Sequence, residues 1–239
     1  MKEFSLPRRI WRIVYPVLIF IAIQFVAIFL VSVFLAAALM VRDIISGAAA
    51  IDEAAVTEAI TMFLTEHSVL VLLAANIASF AVFIPMWLIT RKQAEPYFNE
   101  NPMTVVLLIA GFFIGFNIVQ MIIFGLTDIT RFFPSYEEVS ETLTGGSIMM
   151  QVVTVGFAAP IAEELLFRGI LINRMKWLPV WAAVLVQALM FSLVHMNLFQ
   201  SLYAFLAGVL LGIAYVKYRS IVAAIAGHIA FNLSSVLLG

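Results

Sequence analysis

Glu163, Glu164 and Arg168 lie inside the apolar run PIAEELLFRGIL. Charge in such surroundings is expensive unless it is paired or put to use. On a helix Glu164 and Arg168 stand at i and i+4 with the acid first, the favourable order for an ion pair along one face. Glu163 is rotated by about 100° from its neighbour, so Arg168 cannot serve both acids equally and Glu163 is left without a local partner. It is the candidate for chemistry. Pro160, one turn earlier, lacks an N–H and in an α-helix frees the carbonyl of Gly156, which loosens the helix and gives water a route to the carboxylate.

The groups able to meet Glu163 are few. Of the three histidines, His67 falls in a loop, leaving His195 near the end of one apolar run and His228 within the last. His228 and Asn232 are i and i+4 and share a helix face. Phe191 and His195 have the same spacing, which gives that imidazole an aromatic floor. Counted at about 1.5 Å per residue from one common side, Glu163 lies roughly 16 Å deep, His228 roughly 12, Asn232 roughly 18 and His195 roughly 24. His195 is the outlier. A single intramembrane histidine or asparagine serves as readily to bond one helix to another. Two acids, an arginine, two histidines and an amide gathered in the last four apolar runs favour a site. Glu163, His195 and His228 could also supply two imidazoles and a carboxylate to zinc, although there is no HExxH and three separate helices leave the geometry open.

The elements that position these groups follow from composition. Of 239 residues 64% are hydrophobic and 11% charged, and the mean hydropathy is +1.10, beyond what a soluble domain hides in its core. The prediction is an all-α polytopic membrane bundle, since helices satisfy their own backbone in lipid and no strand-like alternation is present. Apolar runs near 13–41, 69–90, 103–126, 148–173, 178–196, 199–216 and 221–238 give about seven spans. They divide into a three-span region with outer loops, 1–147, and a four-span core, 148–239. Absence of cysteine excludes disulfides, thiolate metal sites and a cysteine nucleophile, and a net charge of −1 argues against nucleic acid.

Charge sets the orientation. Lys2, Arg8, Arg9 and Arg12, then Arg91 and Lys92, Arg174 and Lys176, and Lys217 and Arg219 all fall on one side of the alternation; the other side carries mostly Asp and Glu, with Arg42 and Arg131. By the positive-inside rule the N-terminus is cytoplasmic and the C-terminus outside, in a plasma membrane. Trp11, Trp87, Trp177 and Trp181 fall near the same interface. The alanines near Ala36 suggest a signal-peptide site, but the apolar run is longer than an h-region, so a retained anchor is expected. Ile51 to His67 is amphipathic, Ser135 with Glu138 fits a capping box opening a short surface helix, and Gly111 with Gly115 and Gly208 with Gly212 form two GxxxG patterns permitting close helix approach.

Glu163-Glu164-x-x-x-Arg168, Phe191-x-x-x-His195 and His228-x-x-x-Asn232 together resemble the three ordered motifs of the CPBP family, the CAAX proteases and bacteriocin-processing enzymes also called Abi proteins. The likeness covers roughly Gly156 to Gly239. It implies a metal-independent, cofactor-free intramembrane protease of glutamate type, acting on a membrane-associated or leader-bearing peptide in the bilayer. By this resemblance Glu163 with His195 polarises the attacking water, His228 and Asn232 donate to the oxyanion, and Glu164, Arg168 and Phe191 hold the others in place. Prenylated CAAX tails, leader peptides and quorum-sensing precursors are all candidate substrates. Two other readings stand beside it: a non-catalytic scaffold, regulator or bacteriocin-immunity protein that binds a membrane partner, and a transporter with Glu163 as proton carrier, which the shared face of His228 and Asn232 does not favour.

Overall fold

The computed structural model describes residues 4–46, 52–91, 102–127, 129–133 and 146–238. The chain forms α1 (Leu6–Ile45), α2 (Glu53–Glu66), α3 (Ser68–Arg91), α4 (Pro102–Thr127), a composite helix α5 over residues 148–172, α6 (Val180–Leu193), α7 (Leu198–Tyr218) and α8 (Ile221–Leu238). No strand occurs among the described residues. Of these, α1, α3, α4, α7 and α8 are individually long and apolar enough to cross a membrane, and α6 is a shorter apolar helix. The seven apolar runs of the sequence thus correspond to α1 and α3 to α8. The capping box at Ser135 and Glu138 lies outside the described residues.

At 40 residues, α1 is about 60 Å long, roughly twice the hydrocarbon thickness. It therefore tilts or stands clear of the bilayer. Asp52 caps the amphipathic α2, its side chain accepting from the N–H groups of Ala54 and Ala55, and α2 packs on α1 and α3.

The helix bearing the two glutamates is the axis of the bundle. From Leu165 to Ile172 every residue of α5 is buried, as a helix apolar on all sides must be. Its side chains join Ile13 and Phe20 of α1, Phe83 of α3, Ala183 and Phe191 of α6 and Ala204 of α7 in one core. A second core sets Phe113 of α4 and Phe231 of α8 against Ala207 and Leu211 of α7. Buried Asn117 ties α4 to α8 by donating to Ser234 Oγ at 2.9 Å and accepting from Ser235 Oγ at 3.1 Å.

The two glycine patterns part company. A Cβ on Gly208 would lie 3.1 Å from Phe191 Cδ1 and 3.2 Å from the Cα of Ala188, and one on Gly212 would strike the Gln187 amide; at Gly111 and Gly115 it would meet nothing within 4 Å. Only the pair on α7 serves close approach. Gly208→Ala is expected to destabilise the purified protein by about 1–3 kcal/mol, the usual effect of overpacking, whereas Gly111→Ala and Gly115→Ala leave it unchanged. Thermal unfolding in detergent compares the three.

Candidate active site

The local winding of α5 sets the geometry. It runs as an α-turn at Ile148–Gln151, π-turns over Val152–Ala158, an α-segment at Ala159–Glu164 and π-turns again over Leu165–Ile172. Glu163 and Glu164 therefore sit on the one α-segment between two widened stretches, a kind of irregularity found frequently at functional sites. The N–H of Ala159 bonds the carbonyl of Thr154, five residues back. In that register the carbonyl that Pro160 fails to serve is that of Val155, not of Gly156 as an α-register predicts. Asn232 serves it instead, its Nδ2 donating to Val155 O at 2.8 Å. The asparagine thus holds α8 to the widened turn.

Glu164 and Arg168 are both fully buried, and Arg168 Nη1 donates to Glu164 Oε1 at 2.5 Å. This is the i, i+4 pair the spacing predicts. Arg168 Nη2 reaches the carbonyl of Gly208 at 3.2 Å, and the guanidinium carbon lies 4.6 Å from the centroid of the Phe191 ring, a cation–π contact in low dielectric. Glu164 Oε1 also meets His228 Nδ1 at 2.8 Å. The other ring nitrogen, Nε2, stands 3.6 Å from Glu163 Oε2. His228 therefore bridges the two acids: one is locked to arginine, and the other faces the imidazole at the edge of bonding distance. The Glu163 side chain is 15% exposed and that of Glu164 is not exposed at all.

His195 lies in the turn after α6, where Met196 takes up a left-handed backbone (φ 53°) that a non-glycine residue adopts at an energetic cost. Asn197 caps α7 by accepting from Gln200 N–H, and Ser201 Oγ donates to the carbonyl of Ser192 at 2.8 Å, so the turn is fixed from both sides. His195 Nδ1 bonds the carbonyl of Phe191 at 2.7 Å, which folds the ring back toward the preceding turn. Phe191 is edge-on to both imidazoles, 4.9 Å from His195 and 5.6 Å from His228.

The hydrogen bonds assign the tautomers. A carbonyl only accepts, so His195 Nδ1 carries hydrogen and the neutral ring presents its Nε2 lone pair. His228 Nδ1 faces a carboxylate locked to arginine and likewise donates, so its Nε2 accepts in the neutral ring and donates in the imidazolium. Both rings are held by Nδ1. Among the described residues no three His, Asp or Glu side chains form a metal-holding group.

The motif positions account for most of the cluster, but Gln187 is an addition. Fully buried on α6, it donates from Nε2 to the carbonyls of Val184 at 3.0 Å and Gly208 at 2.8 Å. Gly208 O is thus shared by Gln187 and Arg168. The available signal was a lone amide in the apolar run VWAAVLVQALMF, one turn before Phe191.

Residues 145–234 match the family described as type II CAAX prenyl endopeptidase Rce1-like. All three motifs fall inside the matched segment, and this is the family they resemble. No curated protein and no solved structure matches the chain.

Proposed function

We propose that this multi-pass membrane protein, similar over residues 145–234 to the type II CAAX prenyl endopeptidase Rce1-like family, hydrolyses a peptide bond with water activated by Glu163. The observation that carries the reading is His228 held by Nδ1 on buried Glu164, with Nε2 turned to the Glu163 carboxylate 3.6 Å away.

A water placed between Glu163 and His195 Nε2 gives a proton to the carboxylate as its oxygen attacks the scissile carbonyl. His228, as imidazolium, donates from Nε2 to the developing oxyanion, and the second amide hydrogen of Asn232 does the same, its first being engaged by Val155 O. Glu163 then returns the proton to the leaving nitrogen as the C–N bond breaks, yielding a carboxylic acid and an amine. Glu164 and Arg168 keep His228 in its tautomer, and Phe191 keeps the two rings at one level. No metal enters these steps. The substrate is a peptide presented at the membrane.

The direct test compares peptides from membranes carrying wild type and Glu163→Ala by mass spectrometry. A peptide shortened only by wild type supports hydrolysis; identical profiles reject it.

The proposal includes a cytoplasmic N-terminus. As the chain has no cysteine, Lys217→Cys and Met62→Cys, both at exposed positions, report sidedness cleanly. An impermeant maleimide added to intact cells is expected to label the cysteine at 62 and spare that at 217. The reverse pattern inverts the topology.

A further inference from the structure

The first five turns of α1, with Arg174 beside them, carry two features that the catalytic reading leaves unused. One is a set of arginines: among the described residues no acid pairs with Arg8, Arg9, Arg12 or Arg174. They are instead organised on aromatic faces and backbone oxygens. Arg8 and Arg12 lie over the Phe4 ring at 5.0 and 4.5 Å, and Arg9 lies over Trp177 at 5.7 Å. Arg174 Nη1 donates to Arg12 O and to Tyr15 Oη, each at 2.8 Å. The second feature is a shallow apolar groove of about 450 Å³ lined by Trp11, Tyr15, Leu18, Ile19 and Ala22.

The two are parts of one stripe. Positions 8, 11, 12, 15, 18, 19 and 22 follow the i, i+3, i+4 progression and share a face of α1. Tyr15 belongs to both parts, with its hydroxyl on Arg174 and its ring in the groove. Going along the helix, the surface passes from guanidinium groups through indole and phenol rings to aliphatic side chains, which is the order of layers in one leaflet of a bilayer.

We propose that this stripe is a binding site for one anionic phospholipid, its phosphate on the guanidinium groups and an acyl chain along the groove. Arginine suits a phosphate because its planar fork donates two parallel hydrogen bonds, and arginines without acid partners among the described residues keep that capacity for a ligand. An inorganic phosphate uses the arginines but not the groove, and a bare isoprenoid or alkyl chain uses the groove but not the arginines. Both parts together select the charged lipid. The proposal is independent of the peptidase reading.

Native mass spectrometry of the full chain, stripped of lipid in a neutral detergent, tests it with dioleoyl phosphatidylglycerol, dioleoyl phosphatidylcholine and inorganic phosphate. Wild type is expected to retain one phosphatidylglycerol in preference to phosphatidylcholine. At about fivefold per interfacial arginine, the double variant Arg8→Gln/Arg12→Gln weakens that binding roughly 25-fold. Ala22→Trp, which fills the groove from an exposed position, weakens phosphatidylglycerol but leaves inorganic phosphate unaffected. Equal retention of the two lipids, a double variant that binds like wild type, or phosphate bound as tightly as the lipid each overturns the site. Neither change removes a tertiary hydrogen bond, so unaltered unfolding temperatures are expected, and Arg8→Gln alone provides a milder version of the same measurement.

Discussion

Glu163→Gln is expected to lower peptide hydrolysis by roughly 10²–10⁴-fold, the range for losing a general base, with no loss of fold. The substitution is nearly isosteric, and among the described residues the Glu163 carboxylate makes no hydrogen bond, the imidazole of His228 standing 3.6 Å away, too far to anchor the bundle. The side chain is also partly exposed, so the amide is not left dry. A stable, folded and inactive protein is the result that distinguishes a chemical role from a structural one. Purified wild type and variant, assayed against the peptide that wild type shortens, give the ratio. Turnover within a fewfold of wild type would remove Glu163 from the mechanism, and a cellular phenotype that survives the substitution in full would favour a scaffold.

The neighbouring acid behaves in the opposite way. Arg168→Met is expected to destabilise the protein by about 3–5 kcal/mol, because it strands Glu164 as an uncompensated charge at a position with no exposure. Adding Glu164→Gln removes the stranded charge, so the double variant is expected to recover most of the loss; a buried ion pair replaced as a unit is often nearly neutral. Activity does not return with stability. His228 Nδ1 then faces a neutral amide that holds the ring in no fixed tautomer. Unfolding temperature and turnover, measured on wild type, single and double variants, separate the two effects. A single variant as stable as wild type shows that the pair does not organise the core, and a double variant with full turnover shows that Glu164 has no part in positioning His228.

How much of this could be read beforehand depends on range. Contacts set by helical period were legible: Glu164 with Arg168, His195 over Phe191, His228 on the inner face of α8. Each is a statement about i and i+4, which the sequence specifies without knowledge of the fold. What escaped was set across helices or by a change of pitch. Asn232 finds its partner at Val155, 77 positions away, and only because π-turns move the orphaned carbonyl by one residue. His195 lies past the end of α6, in a turn shaped by Met196, Asn197 and Ser201, which counting residues along a span does not describe. Gln187 announced itself as an amide among aliphatic residues, but nothing local says that its target is a carbonyl on α7. Gly111 and Gly208 share a pattern and differ in neighbours, which is a property of the packed bundle alone.

The alternating pitch of α5 carries a last consequence. A π-turn is an α-turn holding one surplus residue, so the two widened stretches act as slack on either side of the segment Ala159–Glu164. Removing a single residue between 152 and 158 would return the ladder to α pitch and leave both flanks near their present bearing, since the widened turn already absorbs that residue. The acid pair is thus flanked by two places where the helix can give up one residue without turning the carboxylates away from the imidazole.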